Sequence, residues 1–272
     1  MPYTFFLIAA LVYGCSSLFS PNQSDNMERC NEPKLQKVTR AFGGQYEVYQ
    51  YDKNCNITKH EFFVVQPSGN TEMTYYTNYY NSQIILISTE RYVKLSNEFI
   101  KTSIAKYEYD DKGRLKSIYG SELSEIDRRT WHDSKQDFFY DDNDRLIRVT
   151  ASDGSYVLYE YDGNGNAWKW ETHLFQNGDY HPPLVITYTF DQKKNPFYRH
   201  GERIGIQFLS RNNILGWESI SPETGQVVAR SRIEYKYNSS DYPTEAIETV
   251  VSPLTSGQPN TEILHSQYEY VQ

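Results

Sequence analysis

One short pattern dictates hairpins in this chain: two aromatic residues flank a single position, Asp follows, and an apolar residue stands six places after the second aromatic. It recurs at Tyr49-Gln50-Tyr51-Asp52 with Ile57 and at Tyr107-Glu108-Tyr109-Asp110 with Leu115. It returns at Phe138-Phe139-Tyr140-Asp141 with Leu146, Tyr159-Glu160-Tyr161-Asp162 with Ala167, and Tyr188-Thr189-Phe190-Asp191 with Pro196. Tyr235-Lys236-Tyr237-Asn238 with Pro243 is a degenerate copy, and Tyr268-Glu269-Tyr270 ends the series as a strand with no turn after it. The copies are unevenly spaced, so they are hairpins of varying length and not equal blades.

Asp110-Asp111-Lys112-Gly113 shows why. Asp at the first turn position accepts a hydrogen bond from the backbone two residues on, and a residue tolerating positive φ at the fourth closes a type I turn with a G1 bulge. Asp110 then lies opposite Arg114, Tyr109 opposite Leu115 and Glu108 opposite Lys116. The same register pairs Tyr51 with Ile57, Tyr140 with Leu146, Tyr161 with Ala167, Phe190 with Pro196 and Tyr237 with Pro243, an apolar pair on one face every time. A slip by one residue would invert every face. The next pairs inward are mostly polar: Glu108 with Lys116, Gln50 with Thr58 and Lys236 with Thr244, Phe139 with Ile147 being the exception. The fourth turn position is Gly113 and Gly165, Asp144 and Asp241, but also Cys55 and Lys194, which tolerate left-handed geometry poorly.

The rest of the chain agrees with an all-β reading. From about Lys34 onward Tyr, Thr, Ile and Val alternate with polar residues, and no long stretch has helical periodicity. Ser121 to Lys135 is the best helix candidate, for one or two turns at most. Residues 34–272 are therefore expected to form one antiparallel, hairpin-built, strongly twisted sheet curled around its own apolar face, with a β-sandwich as the alternative. The 272 residues carry 27 Lys+Arg against 35 Asp+Glu, a net charge of −8, with no basic run. That balance argues against a nucleic-acid partner, whose affinity comes mainly from neutralised phosphates.

Phe5 to Val12 is an unbroken apolar run, too short to span a bilayer but suited to the core of an export signal. Val12-Tyr13-Gly14-Cys15 follows it and resembles the lipobox of bacterial lipoproteins, in which the Cys thiol is acylated and becomes the mature N-terminus. Residues 1–15 thus read as a lipoprotein signal peptide with Cys15 as the lipid attachment, and the membrane as the partner of that anchor. An uncleaved anchor or an N-terminal strand is the alternative. Residues 16–33, rich in Ser, Asn, Gln and Pro, read as a flexible tether. With Cys15 acylated, Cys30 and Cys55 are the remaining thiols, and an oxidising compartment favours one disulfide between them over two free thiols. In the chain-entropy model such a loop closure is worth about 3 kcal/mol.

Tyr107-Glu108-Tyr109-Asp110-Asp111-Lys112-Gly113-Arg114-Leu115 resembles the tyrosine-aspartate (YD, RHS-type) repeat. The segment from Tyr235 to Thr244, with the final Tyr268-Glu269-Tyr270, is similar to the C-terminal signature of bacterial YD-repeat lipoproteins of unknown function. With the lipobox, the resemblance covers residues 1–15 and 46–272. It implies an antiparallel, hairpin-built sheet at the cell envelope, with the outer membrane as the expected location, and supplies no catalytic residues. The large RHS proteins wrap a closed shell around a toxin, and the hairpins here are too few for that.

No residue pattern points to chemistry. His60, His132, His173, His181, His200 and His265 are scattered outside any metal-ligand spacing, and no nucleophile elbow, phosphate loop or dinucleotide fingerprint occurs. Asp162-Gly163-Asn164-Gly165-Asn166 starts like a calcium loop, but Ala167 and His173 stand where its Gly and Glu belong, and turn chemistry accounts for it. No cofactor or metal is expected. Trp168 and Trp170 lie two apart on a strand, on the side away from Tyr161; with Trp131 they are the candidate ligand-binding residues, as a sugar-stacking surface or as plain cross-strand packing. The expectation is a non-catalytic envelope lipoprotein with a binding or scaffolding role toward a protein or glycan. A carbohydrate-binding module and an envelope hydrolase are the alternatives.

Overall fold

The computed structural model describes residues 33–271 apart from 41–44, 66–70, 96–97, 125–128, 199–203 and 254–258. The signal segment 1–15 and the tether 16–33, save its last residue, lie outside the described residues, as do Cys15 and Cys30. The strands are β1 (Lys34–Arg40), β2 (Gln45–Tyr51), β3 (Ile57–Val65), β4 (Thr71–Tyr80), β5 (Leu86–Leu95), β6 (Glu98–Tyr109), β7 (Leu115–Leu123), β8 (Trp131–Tyr140) and β9 (Leu146–Ala151). They continue with β10 (Tyr156–Tyr161), β11 (Ala167–His173), β12 (Phe175–Gln176), β13 (Asp179–Tyr180), β14 (Leu184–Phe190), β15 (Ile214–Ile220), β16 (Val227–Tyr237), β17 (Pro243–Pro253) and β18 (Pro259–Val271). A single turn of helix, α1 (Ile206–Leu209), precedes β15.

The sheet is antiparallel throughout and closes into a barrel, because β1 pairs with β18 as well as with β2. Only β12 and β13 stand outside it, as a small hairpin of their own. The curled sheet is thus a complete ring, which leaves no open edge, and the sandwich alternative does not form. Ser121 to Lys135 is extended at the strand residues described in it: Ser121 pairs with Asp133 and Leu123 with Trp131 across β7 and β8. Ladder pairing with β6 and β9 on either side overrides the local helix preference of the Glu- and Arg-rich segment.

The turns follow the Asp rule. Asp110 N–H donates to the Arg114 carbonyl at 2.8 Å and Gly113 N–H to the Asp110 carbonyl at 2.9 Å. Asp110 Oδ1 accepts from the N–H groups of Lys112 and Arg114 at 3.0 and 2.8 Å. Burial pushes the Asp110 carboxyl up, but the Arg114 guanidinium and these backbone donors more than offset it and hold the group below the usual carboxylate range. Asp52, Asp141 and Asp162 repeat the arrangement, and Asn238 substitutes for Asp. Asn81 does the same in a unit the aromatic pattern passes over, since Asn78 stands where its first aromatic belongs.

Register agrees with the sequence at the outermost pair and departs one step in. Tyr51–Ile57, Tyr109–Leu115, Tyr140–Leu146, Tyr161–Ala167 and Tyr237–Pro243 all pair. A bulge then intervenes, so Glu108 faces Ser117 and not Lys116, Gln50 faces Lys59 and not Thr58, Lys236 faces Glu245 and not Thr244, and Phe139 faces Arg148 and not Ile147. The extra residue brings two inward side chains three positions apart, as with Leu115 and Ile118 or Leu146 and Val149. Phe190 pairs with Ile214, not Pro196. Its turn is split by an insertion, and Asn213 takes the closing role, exchanging bonds with Asp191 at 3.0 Å.

Five tyrosine hydroxyls each fasten a hairpin to the one before it, whereas Tyr237 donates to the Asp191 carboxylate and Phe190 has no hydroxyl. Tyr51 donates to the Leu35 carbonyl at 2.7 Å, Tyr80 to Ile57 at 2.9 Å, Tyr109 to Leu86 at 2.8 Å, Tyr140 to Leu115 at 2.8 Å and Tyr270 to Pro243 at 2.7 Å. The barrel seam is itself such a unit, opened at its turn: Tyr270 pairs with Leu35 and Tyr268 with Val38, with the same bulge between Leu35 and Lys37. Leu35 and Leu115 are fully buried. The insertion between β14 and β15 packs Ile204, Ile206 and Leu209 onto the main core and Phe197 onto the seam cluster, so it seals the Asp-turn end.

Left-handed backbone is carried by Gly113, Gly165, Asp144 and Asp241, and also by Cys55 at φ 66° and Ile84 at φ 64°. Ile84 is β-branched and costs more there than any other residue in the series. Replacing it with Gly (Ile84→Gly) is expected to stabilise the fold by about 1 kcal/mol, read as a higher midpoint in urea unfolding with an unchanged slope.

Candidate functional site

The register determines what faces the barrel interior. The innermost layers at the turn end are apolar and aromatic: above the Tyr–apolar pairs lie Tyr107–Ile118, Phe138–Val149, Tyr159–Trp170, Tyr188–Trp217, Tyr235–Ala246 and Tyr268–Val38. Burial holds the hydroxyls of Tyr159, Tyr188 and Tyr235 far above their usual range, so these rings stay neutral. One step further from the turns the interior becomes polar, with Arg40 opposite Ser266, Glu47 opposite Phe62, Arg91 opposite Tyr76 and Glu248 opposite Ile233. Beyond that, at the end away from the turns, inward positions hold exposed Glu72, Glu98, Glu122 and Glu262. The barrel is a cup with an aromatic floor, a polar wall and an acidic rim.

Two polar groupings stand on the wall. Glu47, 4 % exposed, accepts from Tyr49 at 2.7 Å, lies 2.9 Å from His60 Nε2 and is ion-paired to Arg40. Tyr49 and Tyr76 stack on the two faces of the His60 ring, at 4.7 and 5.6 Å between centroids. Burial works against the Arg40 charge, but Glu47 more than compensates and raises its pKa. The network joins β1, β2 and β3 beside the seam. Glu248, the second grouping, is half-buried and accepts from the Trp217 indole N–H at 3.1 Å. Neither grouping was marked by a motif: Glu47, His60, Trp217 and Glu248 meet only through cross-strand pairing, and the inward position of His60, Trp217 and Glu248 follows from the bulges.

The outer wall is charged. Ion pairs Lys37–Glu269, Lys59–Glu61, Lys101–Glu90, Lys135–Asp137, Lys169–Glu160 and Lys236–Glu245 follow one another around it. A membrane-spanning barrel needs an apolar outer band, where each charge costs about 2–4 kcal/mol at mid-depth. The same face also exposes Phe99, Tyr119, Phe139, Ile247 and Ile263 between these pairs.

The candidate tryptophans separate. Trp170 is opposite Tyr159 and packs against the core, on the Tyr161 side and not away from it, because the bulge after Ala167 shifts the strand by one. Trp168 is half-buried at that bulge, and Trp131, 41 % exposed, sits opposite Leu123 near the open end, three strands from Trp170. They do not form one surface. Cys55 is disulfide-bonded. Asp162 spends its carboxylate on Asn164 and Asn166, as a turn should.

Residues 140–167, spanning the β8–β9 unit to the next apolar partner, match the RHS repeat, and the chain carries this YD/RHS type of repeat. No curated protein matches the chain. A porin-like protein from Bacteroides uniformis has a similar fold, with a TM-score of 0.58 at 12 % identity over 87 % of this chain and 98 % of its own. A porin-like protein from Bacteroides vulgatus aligns over 88 % of this chain and 99 % of its own at 13 % identity, with a TM-score of 0.41. The Photorhabdus luminescens Tc holotoxin pore aligns over 74 % of this chain and 12 % of its own at 12 % identity, with a TM-score of 0.23.

The Glu47 network gives a stability prediction. Replacing Glu47 with Ala strands a partly buried Arg40 and removes partners from Tyr49 and His60, a loss expected to be about 3 kcal/mol in chemical denaturation.

Proposed function

We propose that the chain is a non-catalytic lipoprotein of the bacterial cell envelope that holds a binding cup in the aqueous space beside the membrane. The observation that carries this reading is the polarity of the barrel ends. The chain enters β1 at Lys34, at the Asp-turn end, which the aromatic layers and the β14–β15 insertion seal, while the acidic rim lies at the other end. A tether leading from an acylated Cys15 reaches the closed end, so anchoring leaves the open end free. The charged outer wall supports a barrel held at a membrane and not within it. The fold shared with a porin-like protein is compatible with this and says nothing further about activity. Replacing Cys15 with Ala should move the protein from the membrane to the soluble fraction, and a variant that stays with the membrane overturns the anchor.

In this reading the disulfide of Cys55 goes to Cys30 and ties the tether to the first turn, at the sealed end. Non-reduced peptide mapping is expected to recover a Cys30–Cys55 cross-link, and a Cys55 peptide joined to anything else refutes it. Reduction should destabilise the barrel by about 3 kcal/mol.

A further inference from the structure

We propose that the inner wall around Glu248 is a binding site for an organic cation, of the alkylated ammonium class. Glu248 faces the interior between Ile233 and Leu264, on the rim side of the aromatic floor. Its carboxylate accepts from Trp217, and no Lys or Arg among the described residues pairs with it. Tyr188 lies opposite Trp217 and Tyr235 opposite Ala246, two residues before Glu248 on the same face; Tyr268 is the inward residue of the adjoining strand. Burial, with the charge of Glu248 a smaller contributor, raises the pKa of all three phenols, so each ring stays neutral; the Arg40 charge acts in the opposite sense on Tyr268. Four strands away on β11, the Trp170 indole N–H in the aromatic layer and the Thr172 hydroxyl one inward step above it are buried without a partner, Thr172 being 3 % exposed.

A half-buried carboxylate with no cation among the described residues paired to it, beside several neutral aromatic rings, matches one ligand chemistry. Electron-rich ring faces attract a cation, most strongly where water is displaced, and the carboxylate supplies the opposite charge. An alkylated ammonium needs no hydrogen-bond acceptors in return, which suits a Glu whose oxygen already serves Trp217. A metal ion would need several carboxylate or His ligands together, and no such group occurs among the described residues. The exposed Glu72, Glu98 and Glu262 at the rim draw cations toward the opening.

The inference rests on the cup reading above, and its test is separate from that of the anchor. Purified full-length protein is titrated with choline and with its neutral isostere 3,3-dimethylbutan-1-ol, by tryptophan fluorescence and calorimetry. Choline is expected to saturate and the isostere to bind about tenfold more weakly or not at all. Glu248→Gln should weaken choline binding about tenfold with an unchanged thermal midpoint. Equal binding of both probes, no saturation with choline, or full choline affinity in Glu248→Gln overturns the site. If that variant does not fold, the ratio of choline to isostere on the native protein decides. Loss of the site with Cys15-dependent anchoring intact removes only this inference. Loss of anchoring with choline binding intact removes only the membrane reading.

Discussion

The bond from an inward tyrosine hydroxyl to the backbone carbonyl of the preceding hairpin is the contact on which the barrel depends. A buried phenol must find a partner, and a carbonyl beside a bulge stands where the ladder is interrupted, so each satisfies the other. One bond of this kind contributes about 1 kcal/mol. Its larger effect is directional: it points the ring across the interior and fixes how far one hairpin is displaced relative to the next. Tyr51, Tyr80, Tyr109, Tyr140 and Tyr270 all make it, and two of the five lie next to the seam. At the seam the first and last strands supply the same contact that Tyr80, Tyr109 and Tyr140 make between internal hairpins.

Local rules accounted for what is local. Asp or Asn with its backbone donors occupies five consecutive positions, so the turn and the first apolar pair were legible in the residues around Asp52, Asp110, Asp141 and Asp162. The second bulge was not, since Lys116 and Thr58 carry no mark of being the extra residue; the ladder beyond them shifted, and Trp170 changed faces with it. The Asn81 unit escaped because its first inward residue, Asn78, bonds to Thr89 where others stack rings. The insertion after Asp191 hid the true partner of Phe190, whose turn is closed by a residue more than twenty positions away. Glu47, His60 and Glu248 were the least visible, because their surroundings exist only once strands distant in sequence have been placed side by side.

Charge is distributed by face and not by region. On the outer wall opposite charges sit on neighbouring strands and largely cancel in water, each pair contributing little to stability. Inward, Arg40 is matched to Glu47 and Arg91 to Glu122, whereas Glu248 and the rim Glu72, Glu98 and Glu262 have no basic partner among the described residues.

The seam has a consequence for how the barrel comes to exist. Most other neighbours in the sheet are joined by short turns, and β14 and β15 by the insertion, but β1 finds its second partner only in β18, more than two hundred residues later. Until β18 arrives the sheet has two free edges and Leu35 and Val38 lack their cover of Tyr270 and Tyr268. Loop-closure entropy makes this contact the slowest to form. A chain emerging from synthesis or passing through a narrow translocation channel accordingly stays open as a string of hairpins, and becomes a barrel in one late step.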